Sequence, residues 1–112
     1  MILDNCKINF YTACKNSGGM MIESFRHKGL KLYFEQEDGR KLPAEMLRRI
    51  RLILTTLHAA ETLEAMNTPI FRLHPLKGNL KGHWAVTVRA NWRITFRLEA
   101  GQAKDVDFMD YH

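Results

Sequence analysis

Cysteine, proline and long hydrophobic runs are all scarce in this sequence. Its 112 residues include two cysteines and three prolines, and Cys6 and Cys14 lack the spacing of a CxxC or Cys/His zinc motif. We therefore expect free thiols in a reducing compartment and no structural metal. No apolar run approaches the roughly 18 residues of a membrane-spanning helix, and the N-terminus has no signal-peptide pattern. These absences predict a cytoplasmic protein without a membrane segment.

Acidic residues are missing from one long stretch of the chain. No Asp or Glu occurs between Glu64 and Glu99. The same stretch contains basic residues throughout, namely Arg72, His74, Lys77, Lys81, His83, Arg89, Arg93 and Arg97. Together with a formal net charge of +5, this distribution favours a surface that binds phosphate or nucleic acid. A solvated basic face of a small domain is the alternative.

The chain has the length of one domain, and its 46% of hydrophobic residues is enough for a compact core. Residues 1–20 differ in sequence character from the rest, and the two methionines Met20 and Met21 stand at the boundary. We interpret residues 1–20 as an N-terminal extension and residues 21–112 as the single domain. Either translation begins at Met20 or Met21, or the extension is genuine and packs on the domain. The intact mass of the native protein separates these two possibilities.

Helical periodicity dominates the first half of the domain. After a short strand at 21–26, Leu30, Tyr33 and Phe34 have the spacing of an amphipathic helix that Asp38-Gly39 should end. A second helix should begin at Pro43 and continue to about residue 63. Its apolar stripe comprises Met46, Leu47, Ile50, Ile53, Leu54 and Leu57.

Alternation replaces helical periodicity in the second half. Residues 84–88 and 92–98 alternate as the two strands of an antiparallel hairpin, and a last strand over 105–108 follows a turn at Gly101. A three-residue turn, with Asn91 left-handed, would pair Val88 with Trp92. It would also place the basic residues on the face opposite the apolar ones. The sequence therefore predicts an α+β fold with two N-terminal helices on one face of a small antiparallel sheet.

Three segments of the domain resemble one known family. The runs MIESFRHKGLKLYFE, RLHPLKG and GHWAVTVRANWRITFRLE, followed by a terminal DYH, are similar in order and spacing to HigB toxins of the RelE/ParE superfamily. The resemblance covers residues 21–112. It implies a compact RelE-like fold and a ribosome-dependent endoribonuclease, without a cofactor or metal, that cleaves messenger RNA in the ribosomal A site and inhibits translation. It also implies a HigA-type helix-turn-helix antitoxin, with operator DNA bound only through the toxin–antitoxin complex.

The resemblance also implies which residues act. The catalytic positions of the family match His74, Asp110, Tyr111 and His112. Lys77 and Arg93 match positions near the scissile phosphate. Apart from the resemblance, the basic face of the hairpin predicts that Arg89, Arg97 and His83 contact RNA, with a simple surface pair of His83 and Arg97 as the alternative. Cleavage by the 2′-hydroxyl requires a base, an acid and cations for the charged phosphorane, and histidine suits either proton-transfer role. The sequence does not assign base and acid between the two catalytic histidines.

Two other functions are compatible with the same fold. ParE-type toxins of this superfamily inhibit DNA gyrase without cutting RNA, and a plain basic module could bind RNA or the ribosome without catalysis. DNA damage instead of translation arrest would indicate the first alternative. Blocked translation with intact messages would indicate the second.

Overall fold

The structure is a computed structural model that describes residues 21–110. Residues 1–20 and the predicted catalytic residues Tyr111 and His112 lie outside the described part, as do both cysteines. The interpretation of residues 1–20 as an extension therefore stays a prediction. No helix within residues 21–110 is long and apolar enough to cross a membrane.

Two helices form where the apolar spacing predicts them, with different ends. Helix α1 spans Lys28–Gln36 and begins at His27, whose Nδ1 accepts a hydrogen bond from the Leu30 amide at 3.2 Å. It ends before the expected Asp38-Gly39, because Glu37 adopts a left-handed conformation with φ 57°. A 3₁₀ turn at Ala44–Met46 leads into helix α2, Leu47–Ala59.

Helix α2 is shorter than the sequence suggests. It stops at Ala59 because Ala60 has extended backbone angles, and a separate 3₁₀ turn follows at Leu63–Met66. The predicted stripe is correct, since Ile50, Ile53, Leu54 and Leu57 are completely buried. Helical turns are not confined to the N-terminal half, because a further 3₁₀ turn occurs at Gly78–Leu80.

Four strands form one antiparallel sheet in the order β1-β2-β3-β4. They are β1, His74–Pro75; β2, His83–Arg89; β3, Trp92–Glu99; and β4, Gln102–Asp110. Strand β1 was not predicted, because two residues give no periodicity. Its proline is tolerated because β1 is an edge strand. The expected strand at 21–26 is reduced to two isolated parallel bridges on β4, formed by Ile22 and Phe25.

The register of the central hairpin confirms most of the prediction and corrects its turn. Val86 pairs with Ile94, and the pairing continues away from the turn as expected. The expected pairing of Val88 with Trp92 is wrong, since Arg89 pairs with Trp92 and the register shifts by a bulge between Thr87 and Arg89. The bulge takes up one residue of β2, so the turn contains two residues instead of the predicted three.

The left-handed residue of this turn is also different. Ala90 has φ 51°, whereas Asn91 does not have a positive φ. Turn geometry thus overrides the intrinsic preference of asparagine for the left-handed region.

The core lies between the two helices and one face of the sheet. The apolar stripe of α2 packs with strand residues that are also fully buried, among them Val86, Ile94, Phe96 and Val106. The fold is therefore α+β, with two helices on a four-stranded antiparallel sheet. The opposite face, which we call the outer face, is left for polar and basic side chains.

His58 joins the segment before α1 to the core. Its ring is buried, lies edge-on to Phe34 with 5.2 Å between centroids, and accepts a hydrogen bond at Nδ1 from the Ile22 amide at 3.2 Å. Burial lowers the pKa of His58. His58, like the N-cap His27, thus stabilises the fold through a hydrogen bond to a backbone amide.

Candidate functional site

One row of paired residues crosses all four strands on the outer face. His74 pairs with Ala85, Ala85 with Thr95, and Thr95 with Asp107. Because directly opposite residues project from the same face, these four side chains share the outer face. Ala85 and Thr95 are buried, at 0% and 1% exposure, so they form a floor between His74 and Asp107. At the usual strand spacing the two outer residues are about 14 Å apart.

The imidazole of His74 is oriented by the backbone just before it. Its Nδ1 lies 2.9 Å from the carbonyl oxygen of Arg72, which has a left-handed φ of 53°. A carbonyl only accepts hydrogen bonds, so this contact requires the proton of neutral His74 to be on Nδ1. The Nε2 atom is then unprotonated and able to accept a proton, which is the property of a general base.

Lys77 is on the loop that connects β1 to β2. The loop is closed by a hydrogen bond from the Leu76 amide to the His83 carbonyl at 2.9 Å, and Lys77 starts the 3₁₀ turn at Gly78–Leu80. Lys77 is exposed, three residues after His74. Within residues 21–110 no ion pair engages the Lys77 ammonium, so it can approach an anion bound beside His74.

Arg93 lies beside this row, at the end of the sheet nearest the central turn. It pairs with Thr87 on one side and Met109 on the other. Its Nη1 donates to the carbonyls of Ala90 at 2.7 Å and Trp92 at 3.2 Å. The buried Nε has no hydrogen-bond partner among the described residues. The guanidinium is therefore held over the turn through Nη1, and no acceptor within residues 21–110 engages Nη2.

Arg97 of β3 lies opposite His83 of β2 in the strand register. The Arg97 side chain is already bound by two carboxylates. Its Nε donates to Asp105 Oδ2 and its Nη1 donates to Glu99 Oε1, both at 2.7 Å. The hydrogen bonds from Arg97 lower the pKa of Asp105 and the pKa of Glu99. Two of the five guanidinium donors of Arg97 are thus engaged by carboxylates, and its contact with RNA stays a prediction. The buried Nδ1 of His83 has no hydrogen-bond partner in the described part of the chain.

Asp110 is the last residue of β4 and pairs with Trp92. The ring of Trp92 stacks on Phe108 with 4.7 Å between centroids, which fixes this end of the strand. Asp110 is thus at the same end of the sheet as Arg93. Strand alternation puts it on the opposite face from His74, so the structure does not join these two predicted catalytic residues directly. Arg89 is exposed at the end of β2 nearby.

Two residues of the row, Thr95 and Asp107, are not among the site residues that the sequence predicts. The alternation that turns Val106 and Phe108 inward also turns Asp107 outward, so the signal was present in the sequence. A bulge in β4 at Asp105, which has φ 54°, complicates this alternation. Across residues 21–110, no three His, Cys, Asp or Glu side chains are grouped so as to hold a metal ion.

Other basic residues have structural contacts. Arg49, on α2, donates to the carbonyls of Ile70 and of Thr87, the latter at 3.4 Å, and Arg51 pairs with Glu37 at 3.2 Å. These arginines fasten α2 to its neighbours. The cations that face solvent near His74 come from the loops and strand ends instead.

Comparisons with known proteins agree with this architecture. The family model for the RelE-like toxin of the type II toxin-antitoxin system HigB matches residues 23–112. The chain is 47% identical over 92 residues to Endoribonuclease HigB of Proteus vulgaris, which covers 82% of this chain and 100% of that protein. The chain belongs to the HigB-like family of RelE-like toxins of type II toxin-antitoxin systems.

Proposed function

We propose that this toxin is an endoribonuclease that cleaves messenger RNA in the ribosomal A site and so arrests translation. The observation that carries the proposal is the orientation of His74, whose Nδ1 contact with the Arg72 carbonyl leaves Nε2 as a proton acceptor on a basic face. A relative of 47% identity named an endoribonuclease supports the activity. A ribosomal substrate would place the activity in the cytoplasm.

The proposed reaction is an in-line transesterification. The 2′-oxygen attacks its own phosphorus, the bond from phosphorus to the 5′-oxygen breaks, and a cyclic phosphate and a 5′-hydroxyl result. A base takes the 2′-proton and an acid gives a proton to the leaving oxygen. Cations stabilise the additional negative charge of the phosphorane.

Three basic side chains around the outer face suit the roles of base and charge stabilisation. We assign the base to Nε2 of His74, and charge stabilisation to Lys77 and Arg93, the latter through guanidinium donors not used by the turn. The acid is then His112, with Asp110 and Tyr111 positioning it or the RNA.

An antitoxin partner follows from family membership. We propose that this partner is a HigA-type helix-turn-helix protein and that the toxin meets operator DNA only through it. The toxin then needs no DNA-reading element of its own.

His74→Asn is the sharpest test of the activity. The asparagine amide can still donate to the Arg72 carbonyl, so the loop should keep its conformation, but the proton acceptor at Nε2 is lost. We expect cleavage to fall by about a hundredfold or more, with binding to the ribosome retained. Primer extension on messenger RNA, with and without ribosomes, measures the cuts; deletion of Asp110–His112 should abolish them as well.

The outcomes separate the competing functions. Cuts that require ribosomes and disappear in His74→Asn support the nuclease and the assigned base. Full cleavage by His74→Asn, with an unchanged melting temperature, would contradict the role of His74. Intact RNA with wild-type toxin would overturn the proposed nuclease, and DNA damage or blocked translation would then identify gyrase inhibition or simple binding.

A further inference from the structure

Two large apolar side chains are exposed in the part of the chain that the structure describes. They are Leu52 on α2, with 46% exposure, and Ile70 in the loop before β1, with 55%. The comparable apolar residues of both regions are buried, including Ile53 and Phe71, their next neighbours in sequence. Large apolar side chains left on a surface are a feature of protein interaction sites.

Arg49 contacts the loop that carries Ile70 from the same helix as Leu52. Its Nη2 donates to the carbonyl of Ile70, and its guanidinium lies over the ring of Phe71 at 5.7 Å. Leu52 is three residues after Arg49 on the same helix, where side chains are neighbours. Leu52 and Ile70 are therefore both neighbours of Arg49. We call these three residues the Leu52–Ile70 patch.

The rim of this patch is basic. Arg48 is exposed and four residues before Leu52, hence on the same side of α2. Arg72 is exposed two residues after Ile70. The acidic residue Glu45 is in the 3₁₀ turn that precedes α2. Two exposed arginines beside two apolar side chains fit a partner with apolar side chains flanked by carboxylates.

We propose that the Leu52–Ile70 patch is a docking surface for the antitoxin, which inserts an apolar segment flanked by acidic residues. This rests on the proposed function only in taking the antitoxin as the protein partner. A protein fits better than RNA because isobutyl and sec-butyl groups offer nothing to a phosphate. Ile70 is four residues before His74, so the docked segment lies along the edge of the sheet where β1 begins.

The double variant Leu52→Ser/Ile70→Ser tests the surface. Isothermal titration with the purified cognate antitoxin should give a Kd raised by about tenfold or more, because buried apolar contacts at the centre of an interface carry much of its affinity. Leu32→Ser on the outward side of α1 is the matched control and should change the Kd less than about twofold. Arg48→Glu should weaken binding, and Lys31→Glu on α1 should not.

Hydrogen exchange on the wild-type complex gives a measurement that no variant can confound. Added antitoxin should slow amide exchange at residues 68–73 and in α2, and leave α1 unchanged. A double variant that binds as tightly as wild type, or protection confined to other elements, would overturn the proposal.

Activity separates this inference from the nuclease proposal. Without antitoxin, the double variant should cleave messenger RNA as wild type does, and antitoxin should no longer neutralise it. Loss of cleavage with unchanged antitoxin affinity would place the patch on the RNA side and contradict the docking role. Absence of cleavage by the wild type would overturn the proposed function, while the titration would still decide the docking surface.

Discussion

His58 and His74 have opposite hydrogen bonds at the same ring nitrogen. Nδ1 of His58 accepts from the Ile22 amide, so its proton is on Nε2. Nδ1 of His74 faces the Arg72 carbonyl, so its proton is on Nδ1. The first ring is buried and neutral, and it supports the fold. The second is on the outer face and has a free acceptor for chemistry.

The buried histidine makes stability depend on pH. The pKa of His58 is lowered by burial, so below about pH 6.5 the unfolded chain binds a proton that the native ring does not. The stabilisation is therefore complete above pH 6.5 and is lost as the pH falls through the lowered pKa. We expect the free energy of unfolding to decrease by up to about 1.4 kcal/mol per pH unit in this range.

Urea denaturation between pH 8 and pH 5 measures this dependence. His58→Asn keeps an acceptor for the Ile22 amide but does not titrate, so this contribution to the slope should disappear although overall stability falls. The control His27→Asn keeps a good N-cap on α1 and should retain the slope. Equal slopes for His58→Asn and wild type would refute the assignment to His58.

At the scale of elements, bulges and left-handed residues determine where the outer face is interrupted. The central hairpin places Ala90 at φ 51°, and β4 places Asp105 at φ 54°. The first lets the turn carbonyl of Ala90 accept from Arg93. The second directs Asp105 toward Arg97, while its amide donates to Ser24 Oγ at 2.9 Å. Both irregularities therefore set the availability of an outer-face arginine.

The turn gives a prediction about stability. Ala90→Gly should raise the free energy of unfolding by about 1 kcal/mol, because glycine adopts a positive φ without the steric cost that alanine has. Asn91→Gly should give no such gain, since Asn91 is not left-handed. Chemical denaturation of the two variants measures the difference. A larger gain in the free energy of unfolding from Asn91→Gly than from Ala90→Gly would instead support the three-residue turn.

At the scale of the whole molecule, some cations have partners within the fold and others face solvent. Arg49 and Arg51 of α2 have partners within the fold, and Arg97 and Lys104 are balanced by carboxylates. Exposed cations in the segments next to His74, by contrast, include Arg72, Lys77 and Lys81, and Arg89 is exposed at the other end of β2. Lys31 and Arg48 of the helices are exposed as well, but we expect a polyanion to bind around His74, because the predicted site residues lie there.

Salt dependence of RNA binding tests this expectation. The affinity for a labelled single-stranded RNA should fall linearly on a logarithmic plot against salt concentration, and Lys77→Ala should reduce the slope by about 0.7. Lys31→Ala, an equally exposed lysine on α1, should leave the slope unchanged. Fluorescence anisotropy at a series of salt concentrations provides the measurement. A slope reduced only in Lys31→Ala would indicate that RNA binds to the helical layer instead.

The sequence was sufficient for features that depend on local periodicity. The stripe of α2 and the alternation of β2 and β3 specify which side of each element is apolar, and burial then forces those sides together. The α+β class, the pairing of Val86 with Ile94 and the basic outer face follow from this alone. The order of short motifs was likewise enough to indicate the HigB family, which the comparisons confirm.

Only the tertiary structure decided the features that depend on distant contacts. Strand β1 exists because His74 and Pro75 pair with β2. A strand of two residues has no periodicity from which the sequence could predict it. The proton position on His74, the carboxylates on Arg97 and the partner of His58 depend on side chains and carbonyls that folding brings close. Turn and bulge geometry at Ala90 arises because the sheet must keep its apolar face buried, which outweighs the local preference of Asn91. Periodicity thus determined the layers, and packing across them determined the chemistry of the outer face.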